Sequence, residues 1–413
     1  MPPATSSTPE TPKFLFARQP IVRASLEISG YELLYRAQAS DDHARIGNPN
    51  QATANVVIAA LAEGVLERIA GKLPVYINIT RPLLLSGMLE SLPNKRVILE
   101  VLEDIDPTPE VLEALRQLRA KGYTIALDDF AVHRINDPLV DIANIVKIDI
   151  QMDHEFSQIP ACVQKFKRRG VLALAEKVES WEEFEALKAA GFDYFQGYFF
   201  ARPEPVQGQM ITASRALLLN LLTKLEKPDV GVEEIERLVS HDVALSLRIL
   251  RYINSAAIGL RRKISSLREA ILLLGFRHLK TLAYLSALSG IDGKPPALLT
   301  TTLVRARMCQ NLAERFKRDN SDHYFLAGLF STLDAFYNTS LDSLLKEIPL
   351  GEDITDGLLR HEGGIGEVLE YVKFYEKGAW LDDDDETSFN HVAPACYAEA
   401  LEWAELTQGA LKG

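Results

Sequence analysis

Short apolar runs of strand length alternate with amphipathic stretches over the first half of the chain. The runs are rich in β-branched and aromatic residues, which favour strands, whereas the stretches between them repeat apolar residues at helical spacing. The predicted strands are FLFARQPIV (14–22), EISGYELLY (27–35), VYINI (75–79), VILEV (97–101), YTIAL (123–127), IVKIDI (145–150), VLALAE (171–176) and YFQGYFF (194–200). The tight connection at 23–26 predicts a hairpin between the first two strands. The strand–helix alternation after this hairpin predicts a TIM-like (β/α)8 barrel with an irregular antiparallel start.

Two of the stretches between strands carry helix start and stop signals. The segment TPEVLEALRQLRAKG begins with the N-cap residue Thr108 and stops at Gly122. The segment SWEEFEALKAAG repeats this arrangement with Ser180 as the cap and Gly191 as the stop. A hydroxyl side chain satisfies the first free amides of a helix, and glycine accepts the left-handed conformation that ends one. Both segments are therefore predicted to be well-bounded helices.

From about residue 209 the strand signal gives way to helical periodicity that continues to about residue 405. Apolar residues recur at three- and four-residue spacing in segments such as VALSLRILRYINS and LTTTLVRARMCQNLAERF. This half is therefore predicted to be an all-α bundle whose apolar stripes form the core. The predicted organisation is a disordered leader at 1–12, a barrel domain at 13–204 and an all-helical domain at 205–413.

Composition and charge limit the classes of partner and the cellular compartment expected for these two domains. The 413 residues are 47% hydrophobic and carry a formal net charge of −12. No apolar run reaches the ~18–20 residues of a membrane span, and the N-terminal segment lacks a signal-peptide pattern. Three widely spaced cysteines without metal-ligand spacing suit a reducing cytoplasm: Cys162, Cys309 and Cys396. The acidic balance argues against bulk nucleic acid as a partner, because phosphate binding needs a basic face.

Polar residues interrupt the apolar runs, each within or just past the C-terminal part of a predicted strand. They are Glu32, Asn78, Glu100, Asp128, Asp129, Lys147, Glu176 and Gln196. A buried carboxylate is costly unless it is paired or binds metal, and the strand ends of a parallel barrel converge on one face. One such acid is more often a helix cap, but caps do not explain Asn78 and Lys147 inside apolar runs. We therefore predict one ring of oxygen ligands, which suits Mg²⁺, Mn²⁺ or Ca²⁺ and can hold two ions for attack on a phosphodiester.

The motifs of residues 14–203 together resemble the EAL domain family of bacterial cyclic-di-GMP phosphodiesterases. The name-giving motif is Glu32-Leu33-Leu34 within YELLYR. The other blocks, in chain order, are RQPI (18–21), INIT (77–80), LEVLE (99–103), LDDF (127–130), VKID (146–149), AEKVE (175–179) and QGYFFARP (196–203). Any one of them is weak, but eight in order at the spacing of strand–helix units are highly specific. The resemblance implies hydrolysis of cyclic-di-GMP to linear pGpG with two Mg²⁺ or Mn²⁺ ions.

The resemblance also implies a role for each matching position. Four residues would hold one metal ion: Glu32, Asn78, Glu100 and Asp128. Asp128 and Asp129 would face the second ion. Glu176 is similar to the acid that positions or deprotonates the attacking water, and Lys147 would lie beside that water and the phosphate. The substrate-binding positions are Gln19, Arg36 and Gln196, and the supporting positions are Glu103, Asp149 and Glu179.

Several departures from the family pattern leave turnover open. The central alanine of the motif is Leu33, and a Gly-Thr-Gly-like stretch after DDF is replaced by Ala131-Val132-His133-Arg134. Asn144 stands where an aspartate is usual, and Lys177 where glycine is common. The lost glycines remove conformations with positive φ from a loop that also helps relatives to dimerise, so a homodimer stays open. The alternative function is a degenerate EAL domain that acts as a cyclic-di-GMP receptor or a protein-interaction scaffold.

The second half resembles the HDOD family, a catalytically silent relative of HD-type metal phosphohydrolases. The resembling segments are HDVALSLRILRYINSAAIGL (241–260), ISSLREAILLLGFRHLKTL (264–282) and YFLAGLFSTLDAF (324–336). An active HD enzyme would carry His-Asp where this chain has Ser331-Thr332, and hydroxyls do not replace that metal clamp. Asp242 opens a helix and is explained as a cap. The resemblance therefore implies a regulatory module that binds a protein partner, and it weakens the alternative of a helical HD phosphohydrolase.

Overall fold

The structure is a computed structural model that describes residues 14–37, 65–151, 159–203, 293–348, 350–378 and 388–412, with isolated positions between 233 and 288. The predicted leader at 1–12 and most of the helices predicted between residues 205 and 289 lie outside the described residues. The chain forms two compact units. The first comprises 1–178, 183–197 and 374–398, and the second comprises 179–182, 198–373 and 399–413. No helix in the described part is long and apolar enough to cross a membrane.

A closed barrel of eight strands forms the first half of the chain. The strands are β1 Phe14–Arg23, β2 Ile28–Ala37, β3 Val75–Ile79, β4 Val97–Val101, β5 Thr124–Leu127, β6 Ile145–Asp149, β7 Leu172–Glu176 and β8 Tyr194–Gln196. Strand β1 runs antiparallel to both β2 and β8, and the pairs from β2 to β8 are parallel. The predicted barrel with an antiparallel start is confirmed.

Helices separate the strands of the barrel. They are α1 Val65–Ala70, α2 Arg81–Leu85, α3 Pro109–Ala120, α4 Ile159–Arg168 and α5 Trp181–Ala190. The predicted caps of α3 are present, because the Thr108 hydroxyl accepts a hydrogen bond from the Val111 amide and Gly122 has a φ of +89°. Three short 3₁₀ segments also lie between strands: Met88–Ser91, Val132–Arg134 and Pro138–Asp141. A fourth follows β8 at Phe199–Ala201.

The C-terminal region is helical, as predicted. Its helices are α6 Pro296–Arg315, α7 Ser321–Phe330, α8 Leu333–Tyr337, α9 Leu341–Glu347, α10 Glu352–Leu359, α11 Gly363–Glu376 and α12 Ala393–Lys412, with a 3₁₀ segment at Phe389–His391. The hydroxyl of Thr332 lies 2.7 Å from that of Thr302, and Arg305 donates a hydrogen bond of 2.9 Å to Ser331 Oγ. The pair that replaces a metal-binding His-Asp therefore joins α6 to the end of α7 through hydrogen bonds.

One layer of apolar side chains fills the barrel interior below its polar end. Its buried members are Ile21, Tyr76, Ala126, Ile145 and Leu174, and the partly buried Ile98 and Tyr194 pack against them. Side chains of a strand alternate between its two faces, so residues two positions further along a parallel strand point into the same interior. This layer therefore sets which side chains lie together at the carboxyl ends of the strands.

The last strand is shorter than predicted, because it ends at Gln196 and the apolar run continues as a 3₁₀ segment. Gly197 has a φ of +149°, and an added Cβ would overlap the backbone of Val178. The amide of Val178 donates a 3.0 Å hydrogen bond to the Gln196 carbonyl, which brings the two segments into contact. Only glycine satisfies both conditions, so the strand stops where the backbone must turn.

We expect Gly197→Ala to lower the free energy of unfolding by about 2–4 kcal/mol, because backbone strain and a steric clash act together. Gly170→Ala is the matched control, since Gly170 has a φ of +71° but no atom within 4 Å of the added Cβ. This control should lose only about 1 kcal/mol, the strain of the left-handed conformation. Urea unfolding measures both values, and equal losses would contradict the close approach of Val178.

Candidate active site

Polar side chains form the next layer, at the carboxyl ends of the parallel strands. Each lies two positions after a residue of the apolar layer on the same strand, and Asp128 lies directly after the end of β5. These residues are Asn78, Glu100, Asp128, Lys147, Glu176 and Gln196. Strand β1 runs the other way, so its polar residue Gln19 precedes Ile21 and pairs in register with Glu32 of β2. Asn78 pairs in register with Glu100 across β3 and β4. The predicted ring residues other than Asp129 therefore share one layer, whereas Asp129 belongs to an adjoining cluster that is described below.

The ammonium group of Lys147 lies at the centre of this layer. Its Nζ is 2.7 Å from Glu100 Oε1, 2.7 Å from Asp128 Oδ1, 2.9 Å from Glu176 Oε1 and 3.3 Å from Glu32 Oε2. The side chain of Lys147 is fully buried, and the four carboxylates are 0% to 14% exposed. A buried charge needs a partner of opposite sign, so the lysine and the four acids hold one another in place.

Two amide side chains extend the ring towards the first strand. Gln196 donates hydrogen bonds of 2.6 Å to Glu32 Oε2 and 2.8 Å to Gln19 Oε1. The closing register of the barrel, in which Ile21 lies opposite Gln196, brings the two glutamines together. Because amide groups both donate and accept hydrogen bonds, this side of the ring can contact phosphate or nucleobase edges.

Burial and charge shift the proton affinities of the ring. Burial lowers the pKa of Lys147, but the surrounding carboxylates together raise it by more. The net pKa therefore lies well above its usual value. Burial raises the pKa of Glu100 well above the usual value, against the opposing effect of Lys147. The pKa of Glu176 rises to about 8, mainly through burial, although Lys147 opposes the shift. Glu176 can therefore hold or release a proton near neutral pH.

We expect the free energy of unfolding of the metal-free protein to fall between about pH 5 and pH 8 through Glu176. With a pKa of about 8 against an ordinary 4.5, the folded protein holds a proton that the unfolded chain releases. The stabilisation from this proton is complete below the pKa of Glu176 in the unfolded chain, and it is lost as the pH rises through the pKa in the folded protein. The free energy of unfolding should change by at most about 1.4 kcal/mol per pH unit. Urea unfolding in EDTA measures it.

The same titration of Glu176→Gln should have a smaller slope, because the amide does not ionise. Glu185→Gln is the control: Glu185 lies on α5, where it pairs with Lys188 at 3.2 Å, and its side chain is 62% exposed. This variant should keep the wild-type slope. Identical slopes for the wild type and Glu176→Gln would contradict the raised pKa.

A second charged cluster adjoins the ring at the ends of β5, β6 and β7. Asp149 is 4% exposed, accepts a 2.8 Å hydrogen bond from the Gln151 amide and forms an ion pair with Lys177. Burial and the adjacent Asp128 raise the pKa of Asp129, and Lys177 opposes them. The backbone φ values are +39° at Asp129 and +56° at Lys177. The cluster therefore has one lysine facing two acids.

The loop after Asp129 packs through apolar side chains where relatives are expected to have glycines. Phe130 and Val132 are 3% and 6% exposed, and the Phe130 ring contacts that of Phe166 edge-on at a centroid distance of 5.9 Å. Arg134 forms a 2.7 Å ion pair with Asp137. The altered loop is thus anchored by burial and charge pairing.

The other departures also have local structural roles. Asn144 Oδ1 accepts a 3.0 Å hydrogen bond from the Ile125 amide, a role that an amide oxygen fills as well as a carboxylate. Leu33 is 5% exposed, so the larger side chain of the name-giving motif is accommodated by burial. Neither substitution removes an acid from the ring.

The chemistry of the ring fits a hard divalent cation. Glu100 Oε2 and Glu176 Oε2 are buried and accept no hydrogen bond among the described residues. Buried carboxylate oxygens that lack donors are the ligands that Mg²⁺ and Mn²⁺ prefer. No three His, Cys, Asp or Glu side chains in the described ranges are arranged to coordinate an ion. In the ring the acids instead point towards Lys147 Nζ, so an ion must compete with this ammonium for them.

Three predicted residues remain: Arg36, Glu103 and Glu179. Arg36 belongs to β2, but its side chain lies outside the described part of the chain. Glu103 is exposed and raises the pKa of Asp129 through its charge. Glu179 forms a 2.9 Å ion pair with Arg202. Lys177 was not among the predicted site residues. The only sign of it in the sequence is a lysine at a position where glycine is common.

Comparison with known families agrees with this geometry. The family model described as the EAL domain matches residues 5–203, and the model described as the HDOD domain matches residues 213–341. The cyclic di-GMP phosphodiesterase CdgJ of Vibrio cholerae is 33% identical over 371 residues, which is 88% of this chain and 85% of that protein. The uncharacterized protein YuxH of Bacillus subtilis is 30% identical over 405 residues, 94% and 97% of the two chains.

Solved EAL structures are also similar. An EAL domain protein from Listeria monocytogenes is 24% identical with a TM-score of 0.37, covering 47% of this chain and 89% of that one. A standalone EAL protein from Vibrio cholerae in its c-di-GMP bound form is 25% identical with a TM-score of 0.37, covering 48% and 94%. On the matches to both family models and to the two relatives, the chain belongs to the family of proteins in which an EAL domain is followed by an HDOD domain.

Proposed function

We propose that this chain hydrolyses cyclic-di-GMP to linear pGpG in its barrel, in a divalent-metal-dependent reaction. The observation that carries the proposal is the buried layer in which four carboxylates surround Lys147 at 2.7 to 3.3 Å. A structural ion pair needs one acid for one lysine, whereas this layer holds three carboxylates in excess. The membership of the cyclic di-GMP phosphodiesterase CdgJ in the same family supports the substrate.

The three excess carboxylates also explain how an acidic protein could bind an anionic ligand. The residues proposed to hold a divalent ion are Glu32, Asn78, Glu100 and Asp128. When bound, the ion would offset the charge of these acids and act as a Lewis acid towards the phosphate oxygens. Binding of the dinucleotide is therefore expected to depend on metal, although the chain has a net charge of −12.

Each ring side chain has a definite task in the proposed reaction. A water oxygen bonds to phosphorus while its proton passes to Glu176, and the bond from phosphorus to the 3′ oxygen breaks. The 3′ oxygen takes up a proton from solvent, and Glu176 later returns its proton to solvent. Glu176 Oε2 accepts a proton from the water, because it is buried and has no donor among the described residues. Lys147 Nζ, 2.9 Å from Glu176 Oε1, orients that carboxylate and adds positive charge beside the phosphate. Gln19 and Gln196 position the dinucleotide through their amides.

A receptor without turnover is the second candidate function, and the loop after Asp129 is the observation that favours it. Its buried Val132 belongs to the stretch 131–134, which replaces one that is rich in glycine in active relatives. Without these glycines the loop loses the positive-φ conformations that glycine adopts without strain. In this alternative the ring binds cyclic-di-GMP, and the helical domain passes the signal to a protein partner.

Product analysis separates the two functions. Purified full-length protein with Mn²⁺ or Mg²⁺ and cyclic-di-GMP should yield pGpG, and EDTA should abolish product formation. Calorimetry on the same samples measures binding. Binding without product under either ion would establish the receptor, and the absence of both would contradict the proposed function.

A further inference from the structure

Lys177 places a fixed positive charge beside the ring. Its ammonium pairs with Asp149 Oδ2, and Asp149 is only 4% exposed. The other carboxylate oxygen of Asp149 accepts a 2.8 Å hydrogen bond from the Gln151 amide. Both oxygens are thus engaged, and the one lysine in this cluster serves a buried acid.

The charge of Lys177 also reaches Asp129. Burial raises the pKa of Asp129 most, the charges of Asp128, Asp149 and Glu103 raise it further, and the charge of Lys177 lowers it. Asp128 itself is engaged by Lys147 at 2.7 Å. Among the described residues, Lys177 is the cation whose charge opposes these acids at Asp129.

The backbone at Lys177 adopts a conformation that favours glycine. Its φ of +56° lies in the left-handed region, which glycine adopts without strain and lysine does not. Neighbouring hydrogen bonds fix this conformation, because Gln151 Nε2 donates to the Lys177 carbonyl at 3.3 Å and the Val178 amide donates to the Gln196 carbonyl at 3.0 Å. Strain at such a position points to a function of the residue.

We propose that the Lys177 ammonium takes the place of the second divalent ion beside Asp129, so that this barrel binds one divalent ion tightly instead of two. The inference rests on the proposed function, since it assumes that the ring binds the first ion. It revises the expectation of two ions from the sequence. The Lys177 side chain is 51% exposed, so solvent screens its charge but does not cancel it.

Electrostatics gives the size of the effect. A unit positive charge a few ångströms from a divalent ion, screened by partial exposure, weakens binding of that ion on the order of 10- to 100-fold. Removal of the charge should restore a second site by that factor. Replacement by arginine should not, because the charge remains.

Manganese titration tests the proposal directly. Full-length protein is stripped of metal, titrated with Mn²⁺, and the free ion is measured by electron paramagnetic resonance. The wild type and Lys177→Arg should bind one ion per chain. Lys177→Met and Lys177→Gly should bind a second ion at least 10-fold more tightly than any second ion bound by the wild type. Lys177→Gly also removes the backbone strain, so a folding defect would not hide the result.

Lys188→Met is the matched control, because Lys188 is also a partly exposed lysine, with a 42% exposed side chain, paired with a glutamate, Glu185. It should behave as the wild type. Two tightly bound ions in the wild type, or one ion in Lys177→Met, would overturn the role of Lys177 and leave the proposed function standing. No Mn²⁺ bound by the wild type would overturn the proposed function itself, and the inference with it.

Discussion

Lys147→Met is expected to lower the free energy of unfolding of the metal-free protein by about 3–5 kcal/mol, the typical cost of removing one partner of a buried ion pair. In the wild type Lys147 is fully buried among four carboxylates. In the variant these carboxylates lose their shared cation. Methionine keeps most of the apolar stem, so the loss reports on charge more than on packing. Urea unfolding in EDTA measures the difference, with Lys188→Met as the exposed-lysine control.

Two further measurements tie the loss to charge. Saturating Mn²⁺ should restore part of the stability of Lys147→Met, because an ion bound only by the folded state adds its binding free energy. In a double-mutant cycle, Glu100→Gln should cost less in the Lys147→Met background than in the wild type, since the acid no longer has a cation to pair with. A stability loss that neither Mn²⁺ nor Glu100→Gln changes would contradict Lys147 as the counter-ion of the ring.

Glu176→Gln is expected to reduce hydrolysis of cyclic-di-GMP by about 10²- to 10⁴-fold, the usual contribution of a general base. The amide has nearly the shape of the carboxylate but does not accept a proton from water. Affinity for the dinucleotide should change only a few-fold, because the proposed metal ligands and the amides of Gln19 and Gln196 are unchanged. Chromatographic separation of pGpG gives the rate, and calorimetry gives the affinity.

The control for this variant is Glu185→Gln, which removes a carboxylate from the exposed surface of α5 and should leave both values unchanged. Unaltered hydrolysis by Glu176→Gln would assign the proton transfer to another group. A loss of binding as large as the loss of rate would assign Glu176 to ligand binding and contradict its role as the base.

The barrel and its ring follow from local signals in the sequence. The bounds of β3 and β4 are those predicted, because buried parallel strands appear as continuous apolar runs between polar turns. Asn78 and Lys147 were predicted in the ring because polar residues inside such runs have no local explanation. The spacing of one polar residue per strand then placed them at one end of the barrel.

Other features depend on contacts between distant segments. The apolar run 194–200 gives no sign that β8 ends at Gln196, since the turn is imposed by the approach of Val178 to Gly197. The central place of Lys147 among four acids depends on the closure of eight strands. The sequence marks Lys177 only as a departure from glycine, because its pairing with Asp149 depends on the packing of β6 beside β7.

The most direct test of the account is turnover by metal-stripped protein in H₂¹⁸O. With Mn²⁺ restored, cyclic-di-GMP should become pGpG that carries one ¹⁸O on its terminal phosphate, because water attacks phosphorus. The sample kept in EDTA should form no product. Mass spectrometry of the dinucleotide distinguishes these results. Absence of pGpG in the presence of Mn²⁺, or equal product with and without the ion, would contradict a metal-dependent phosphodiesterase built on this ring.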